Sequence, residues 1–195
     1  MDLTRPSDVH ADIVATLLYT STNRPYRGLY DMVTAWSSAR RNEVIDVAMR
    51  LRSRRNELLR HFRGGPYVFD IVMDIGAYRD LHRHRRCYQF RQDYSSGLGY
   101  ATPPLIHQAG LTVAYDQAMN VNRDLPPPGS DYLLPFATKG RFLFKMDFAE
   151  AEYISRLRSG VKGHQSYREV AWNIKIAMEK LEPELGKWMQ ATLPG

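Results

Sequence analysis

A basic run of residues, HRHRRCYQFRQDYSSGLGY at positions 82–100, holds the side chains of this sequence best suited to chemistry. Arginine guanidinium groups bind phosphate and carboxylate groups through paired hydrogen bonds and stay charged at cellular pH. His82 and His84 could instead ligate a metal ion. The run is therefore compatible with an anion site, a metal site, a nucleic-acid-binding face or a well-solvated helix end.

Geometry argues against the metal interpretation. In a helix, residues two positions apart point about 200° away from each other, so His82 and His84 could share an ion only if the run forms a strand or a loop. Asp80 and His84 could share a helix face, but they supply only two ligands. Cys87 is the single cysteine, which excludes an intrachain disulfide and multi-cysteine zinc patterns. We predict no metal site, and we expect Cys87 to be a buried, inert thiol.

A helical basic run would place Arg79, Arg83 and Arg86 on one side and His84 and Arg85 on others. Such an arrangement suits a long polyanionic ligand or a ligand held between subunits. Nucleic acid is the less favoured partner because the neighbouring aromatic residues form one short run without a repeated stacking pattern. The sequence also lacks GxGxxG, GxxxxGK[ST] and GxSxG, so no standard phosphate cradle or hydrolase elbow is predicted.

Length and composition indicate a single domain over residues 1–195. The chain is 44% hydrophobic and 25% charged, which allows a substantial core, and its net charge of +6 favours anionic partners. No apolar run approaches the roughly 20 residues that a membrane span requires. The N-terminus lacks the basic start and apolar stretch of an export signal, so we expect a cytoplasmic protein without a membrane partner.

The elements that must position the basic run follow from hydrophobic periodicity and from helix start and stop signals. Two segments alternate as strands do, YVFDIVMD at 67–74 and KGRFLFKMD at 139–147. Helices are predicted from Ser7 or Asp8 to Thr20, over 28–62 in two pieces, over 77–89, from Thr102 to Asn120, over 148–160 and from His164 to Leu181. A loop is predicted at 123–130. This order of helices and strands predicts an α+β fold.

Apolar stripes on these helices predict which residues are buried. Residues 28–62 carry Val44, Val47, Ala48, Leu51, Leu58 and Leu59 opposite an arginine-rich outer face. That outer face is interpreted as solvated charge, with nucleic-acid contact as the alternative. The helix after the second strand presents Phe148, Ala151, Ile154 and Leu157, and the last helix presents Ala171, Ile174, Met178 and Leu181.

The basic run also carries a resemblance to a known family. Arg83-His84-Arg85 resembles the opening of the flavin-dependent thymidylate synthase signature, RHRxxSxNExSxR. HFRGGPYVFDIVMDIGAYRDLHRHR resembles the strand and helix that lead to this signature in the family. YLLPFATKGRFLFKMDFAEAEYISRLRS resembles a later family segment, VLPxxLYTRFxxTxNxxxLxxFLxLR. The two blocks cover just over a quarter of the chain.

This resemblance implies a fold, an activity and site residues. Family members make thymidylate by reductive methylation of dUMP, using FAD, NADPH and methylenetetrahydrofolate. The implied structure is a flavin-dependent thymidylate synthase-like fold, with helices around a small sheet, in a homotetramer whose active sites lie between subunits. By position, Arg83, His84 and Arg85 would contact FAD, and Arg158 and Arg141 would contact the nucleotide substrate. The resemblance assigns no catalytic residue.

The sequence departs from the signature at every specified position after Arg85. The residues found there are Tyr88, Phe90, Arg91, Asp93 and Ser95, and Asp131 and Asp147 replace an arginine and an asparagine of the later segment. Carboxylates would repel the phosphate of dUMP, at a cost of about 1–3 kcal/mol for each exchange. Tyr88 and Phe90 could fill space that a ligand leaves, and Arg91 could pair with Asp93 or Asp131.

Two functions remain open from the sequence. One is a flavin- and nucleotide-binding enzyme of this family, with or without thymidylate synthesis. The other is a non-catalytic module that keeps the family's fold in a structural or oligomerisation role, since folds can outlast their chemistry.

Overall fold

The computed structural model describes residues 1–120 and 130–194, although the side chains of residues 130 and 131 are not described. The helices are α1 (Val9–Tyr19), α2 (Tyr26–Thr34), α3 (Ser38–Met49), α4 (Ile75–Leu81), α5 (Pro104–Gln108), α6 (Thr112–Asn120), α7 (Phe148–Arg158), α8 (Gln165–Leu181) and α9 (Pro183–Gly186). The strands are β1 (Tyr67–Asp74), β2 (Tyr88–Arg91) and β3 (Lys139–Met146), and short 3-10 turns occur at Arg60–Phe62, Ser96–Leu98 and Ser130–Leu133.

The described strands form one antiparallel sheet in the order β1-β3-β2. Tyr67 pairs with Met146 at one end of β1, and Asp74 pairs with Lys139 at the other. Both strands predicted from alternation are confirmed. Strand β2 (Tyr88–Arg91) is not predicted by the sequence, since residues 88 and 89 fall within the helix expected over 77–89.

The inner face of the sheet packs against helices and forms the core. Phe142, Phe144 and Met146 are almost wholly buried, as their alternation predicted. Tyr78 of α4 stacks on Phe142, with ring centroids 4.1 Å apart. Helix α8 lies against β1, α4 and α7. The predicted α+β class, with helices around a small sheet, is confirmed.

Acidic and polar caps set where several helices begin. Asp8 accepts a hydrogen bond from the Ala11 amide at 2.9 Å, and Asp74 accepts one from the Ala77 amide at 2.7 Å. Asp147 does the same for Glu150 at 2.8 Å. His164 is the N-cap of α8. The starts predicted for α1, at Ser7 or Asp8, and for α8, at His164, are therefore confirmed.

The predicted helical region 28–62 is too long. Helices α2 and α3 are the two pieces, but α3 ends at Met49, and its buried residues are Ile45 and Met49, neither of which belongs to the predicted stripe. Val47 and Leu51 are exposed. Beyond α3, Asn56 accepts a hydrogen bond from the Ser53 amide at 3.0 Å, and such local side-chain bonds compete with helix formation.

The predicted helix from Thr102 to Asn120 is divided. Pro103, not Thr102, is the N-cap of α5. Gly110 adopts φ 69°, which ends the first helical piece before α6 begins. The loop predicted at 123–130 lies outside the described residues except at its last position.

The predicted stripes of α7 and α8 are confirmed except at their last members. Leu157 and Leu181 are exposed. A spacing of three residues rotates by about 60° at each step around a helix with 3.6 residues per turn, so Leu157 lies opposite Phe148. Leu181 is the last residue of α8. None of the helices in residues 1–120 and 130–194 is long and apolar enough to cross a bilayer.

Candidate functional site

The basic run lies in a turn rather than in a helix. Helix α4 ends at Leu81, and residues 82–87, here called the basic turn, lead directly into β2. The His84 amide donates to the Leu81 carbonyl at 3.1 Å, and the Cys87 amide donates to the His84 carbonyl at 3.1 Å. The Gln89 side-chain amide donates to both carbonyls. The predicted helix over 77–89 is therefore wrong beyond Leu81, since these bonds take the carbonyls that a continuing helix would use.

His84 points into the protein and is 6% exposed. Its Nε2 accepts a hydrogen bond from Nε of Arg158 at 2.9 Å, so that nitrogen carries no proton. The proton of the neutral ring is then on Nδ1, which lies 3.4 Å from Oε1 of Glu150. The imidazole is thus held between a cation and a carboxylate.

Arg86 is bound by the first turn of α7. Its Nη2 lies 3.1 Å from both carboxylate oxygens of Asp147, and its Nη1 lies 3.1 Å from Oε2 of Glu150. Glu150 is 2% exposed, so its contacts with the basic turn are made away from bulk water. Charge-assisted hydrogen bonds of this kind are about twice as strong as neutral ones.

Arg83 and Arg85 point the other way, into solvent. Within the described residues neither has a hydrogen-bond or ion-pair partner. They line an open depression of about 650 Å³ together with His82, His84, Cys87 and Gln89. Two free guanidinium groups beside a depression can bind an anionic group through two-point contacts.

The structure brings one of the two predicted substrate-binding arginines to the basic turn. Arg158, at the end of α7, contacts His84, and its guanidinium lies 5.8 Å from the Tyr167 ring centroid. Arg141 lies on the opposite face of the sheet, where its Nη1 contacts Asp70 of β1 at 3.1 Å. A ligand site that includes Arg141 would therefore need further binding groups on that face of the sheet.

The positions that depart from the family signature are mostly exposed. Tyr88 is 71% exposed and Phe90 is 56% exposed, so neither side chain fills space within this chain. Arg91 lies over the Tyr94 ring at 4.6 Å instead of pairing with Asp93. The Ser95 hydroxyl accepts a hydrogen bond from the Gly97 amide at 3.4 Å and caps a 3-10 turn. The side chain of Asp131 lies outside the described residues.

Cys87 has the character expected of a buried thiol. It is 5% exposed, and burial raises the pKa of its thiol to about 12. The predicted burial of the thiol is confirmed, and a raised pKa favours its protonated, less reactive form at neutral pH. Over the described part of the chain, no three or more His, Cys, Asp or Glu side chains group closely enough to hold a metal ion.

Sequence reasoning missed the contacts of Arg86, Asp147 and Glu150. The residues DFAE at 147–150 match a capping box, in which the glutamate would reach back to the first residue's amide. Glu150 instead turns to His84 and Arg86. The available signal was the presence of Glu150 next to Phe148, Ala149 and Ala151, but it does not name the partners.

The sequence matches the family described as Thy1, thymidylate synthase complementing protein, over residues 5–184. The curated relatives include UPF0159 proteins of Chlamydia pneumoniae, 28% identical over 179 residues, and of Chlamydia muridarum, 33% identical over 137 residues. Another, from Thermoplasma acidophilum, is 26% identical over 183 residues. These alignments cover 88%, 67% and 89% of this chain but only 34%, 26% and 36% of the relatives. The chain thus spans about a third of their length.

A solved structure of similar fold is the flavin-dependent thymidylate synthase of Helicobacter pylori, complexed with FAD and dUMP. The TM-score is 0.60 at 13% sequence identity, covering 92% of this chain and 94% of that one. The likeness confirms the predicted fold. The family match over most of the chain supports the resemblance on which that prediction depended. The chain belongs to the Thy1 family of thymidylate synthase complementing proteins.

Proposed function

We propose that this chain is a flavin-binding domain of the flavin-dependent thymidylate synthase type. In this proposal Arg83, His84 and Arg85 form the FAD site, and Arg158 and Arg141 serve the nucleotide. The observation that carries it is that Arg83 and Arg85 are exposed and free of acidic partners among the described residues. They lie on a turn whose inner side is held by Glu150 and Arg158.

The donor chemistry of the basic turn fits the pyrophosphate of FAD. Guanidinium groups bind phosphate oxygens in two-point contacts, and Arg83 and Arg85 have no competing carboxylate in the described structure. A bound flavin would supply the hydride chemistry, so the protein's part is to bind and orient. His84 would support the turn through Arg158 and Glu150, and the Arg158 guanidinium would face the nucleotide side.

The residues present do not fit the phosphate of dUMP in the family's usual manner. Asp93 is exposed and acidic, and the Ser95 hydroxyl is engaged with the Gly97 amide. Reductive methylation of dUMP with NADPH and methylenetetrahydrofolate therefore belongs to the proposal only if the nucleotide is held by other groups. These two positions favour the second candidate, a non-catalytic module with a structural or oligomerisation role.

We also propose that the chain, as one domain, forms a homo-oligomer, with a tetramer as the family resemblance implies. One face of the sheet, the outer sheet face, carries exposed or half-exposed apolar side chains from all described strands: Val68, Val72, Tyr88, Phe90 and Leu143. Asp70 and Arg141 on this face pair with each other, so this pair adds little net charge to oppose contact with a second copy. Such contact would bring Arg141 towards a neighbouring subunit's ligand.

Titration of FAD into the purified protein tests the flavin proposal. We expect quenching of flavin fluorescence and saturable binding, with FAD affinity reduced about 10-fold or more in the double variant Arg83→Ala/Arg85→Ala. Arg63→Ala, which removes another exposed arginine, is the matched control and should bind normally. Absence of quenching in the native protein would favour the non-catalytic module. Saturable binding of dUMP would contradict the argument from Asp93 and Ser95.

A further inference from the structure

A continuous series of polar contacts links α7 to the basic turn. Arg158 donates to His84, His84 faces Glu150, Glu150 binds Arg86, and Arg86 also binds Asp147. Glu150 is the shared member, since one of its carboxylate oxygens faces His84 and the other contacts Arg86. Removing it would affect two residues of the turn at once.

We propose that Glu150 is a positioning residue for ligand binding at the basic turn. By binding Arg86 and His84 from within the protein, its carboxylate fixes the turn so that Arg83 and Arg85 face outward together. This inference rests on the proposed flavin-binding function, but it concerns a residue that contacts only the turn and no ligand. The family segment resembled here specifies no residue at this position.

The negative charge of Glu150 offsets positive charge in the basic turn. Arg83, Arg85 and Arg86 would place three positive charges within four positions, and like charges at such spacing repel one another. Glu150 and Asp147 neutralise Arg86 at 3.1 Å and leave the two outward arginines for an anion. A neutral glutamine at position 150 would keep the size of the side chain but lose this compensation.

The burial of His84 and Glu150 restrains the basic turn. His84 and Glu150 have almost no exposure, so water cannot readily replace their contacts if one partner is lost. The backbone is also held before the turn and in its middle, by bonds from Gln89 to the carbonyls of Leu81 and His84, and the Cys87 amide bonds to the His84 carbonyl. Between these points, Glu150 restrains the turn through the Arg86 side chain.

Cys87 gives a readout that does not depend on a ligand. It directly follows Arg86 and is 5% exposed, so opening of this part of the turn increases its access to a thiol reagent. Besides burial, the charge of Glu150 raises the pKa of the Cys87 thiol, so Glu150→Gln would by itself increase thiol reactivity, whereas Arg86→Gln removes a positive charge and has no such effect. If Glu150 holds the turn through Arg86, both variants raise the modification rate of Cys87. A merely stabilising residue elsewhere on α7 would not have this local effect.

The experiment compares native protein, Glu150→Gln and Glu152→Gln at a temperature where circular dichroism shows each to be folded. Glu152 is the matched control, because it is on the same helix, 1% exposed, and contacts Arg52 instead of the turn. We expect Glu150→Gln to weaken FAD binding about tenfold and to increase the Cys87 modification rate, while Glu152→Gln leaves both unchanged. Arg86→Gln, at a half-exposed position, should reproduce the effect if Glu150→Gln does not fold.

The outcomes separate the inference from the function on which it rests. Native protein that fails to bind FAD overturns the flavin proposal, and the Cys87 rates still decide whether Glu150 fixes the turn. Native protein that binds FAD, with equal affinity and equal thiol reactivity in Glu150→Gln and Arg86→Gln, overturns the positioning role.

Discussion

Arg158 donates its Nε hydrogen to Nε2 of His84 across 2.9 Å, although 74 positions separate the two residues in the chain. The family resemblance assigns His84 to the flavin and Arg158 to the nucleotide. Their direct contact means that a change at one position alters the surroundings of the other. Any flavin side and nucleotide side of this site would be coupled through one hydrogen bond.

The strength of this contact can be measured with Arg158→Ala. The variant leaves the buried Nε2 of His84 without its donor, and we expect the free energy of unfolding to fall by about 1–3 kcal/mol. Urea unfolding gives the value, and a double-mutant cycle with His84→Ala isolates the pair. Arg141→Ala is the control, because its pair with Asp70 is exposed and should contribute less than about 1 kcal/mol. Equal losses in the two variants would contradict the buried contact.

A second prediction concerns the buried ion pair of Arg52 and Glu152, whose closest atoms are 2.5 Å apart. Burial raises the pKa of Glu152, although the hydrogen bond from Arg52 opposes the shift. Arg52→Ala leaves the buried Glu152 with the longer contact to Nε of Arg156 at 3.5 Å, and Glu152→Ala leaves the Arg52 cation bound to backbone carbonyls. Each variant should therefore cost up to about 3–5 kcal/mol. We expect the double variant to lose less than the sum, as measured by urea unfolding. Strict additivity would show that the two groups do not stabilise each other.

Cys87 predicts a dependence of stability on pH. The thiol ionises near pH 9.0 in the unfolded chain and only near pH 12 when buried. Its contribution to stability is therefore complete below pH 9.0 and declines as the pH rises from there towards the folded-state value. Cys87→Ser lacks this buried thiol. The difference in the free energy of unfolding between native protein and the variant should be constant near neutral pH and should become smaller above pH 9.0. A constant difference across that range would contradict the burial of the thiol.

Gly186 marks a close approach between α9 and α8. A Cβ at this position would lie 2.5 Å from Cα and 2.8 Å from the amide nitrogen of Glu179, and backbone atoms cannot yield as a flexible side chain can. We expect Gly186→Ala to destabilise the protein by about 1–3 kcal/mol in thermal or urea unfolding. Gly28→Ala is the control, because that glycine is in helix α2 with nothing within 4 Å of a Cβ. Alanine there should be neutral or stabilising by about 0.5–1 kcal/mol.

The outer sheet face predicts the assembly state. Phe90→Glu places a charge among its apolar side chains, and we expect this variant to shift the protein to smaller species in size-exclusion chromatography with light scattering. Leu51→Glu changes a leucine that is exposed elsewhere on the molecule and should leave the assembly unchanged. A native protein that is monomeric at high concentration would overturn the proposed oligomer.

Local signals in the sequence predicted much of the fold. Strands β1 and β3 each alternate over eight residues, and the caps Asp8 and His164 begin the helices expected of them. Strand β2 has only four residues, and its pairing partners, such as Lys145 for Tyr88, come more than fifty positions later. No local pattern could assign it, because the composition before Tyr88 is typical of a helix.

The sequence predicted only those site residues that occupy positions of the family motif. The resemblance pointed to Arg83, His84, Arg85 and Arg158, and the structure joins two of these through a hydrogen bond. The resemblance could not show that His84 faces inward while Arg83 and Arg85 face outward, because that depends on where α4 ends. Nor could it find Glu150, since the partners of a buried carboxylate are set by packing between distant segments.

The order of the sheet, β1-β3-β2, has a consequence for how the protein is made. The central strand is the last of the three in the chain, so β1 and β2 have no neighbour to pair with until β3 has left the ribosome. During that interval the nascent polypeptide carries Tyr67–Asp74 and Tyr88–Arg91 without their shared partner. Unpaired strands of this kind are prone to aggregate, so synthesis in the cell should depend on chaperone protection until about residue 146 is exposed.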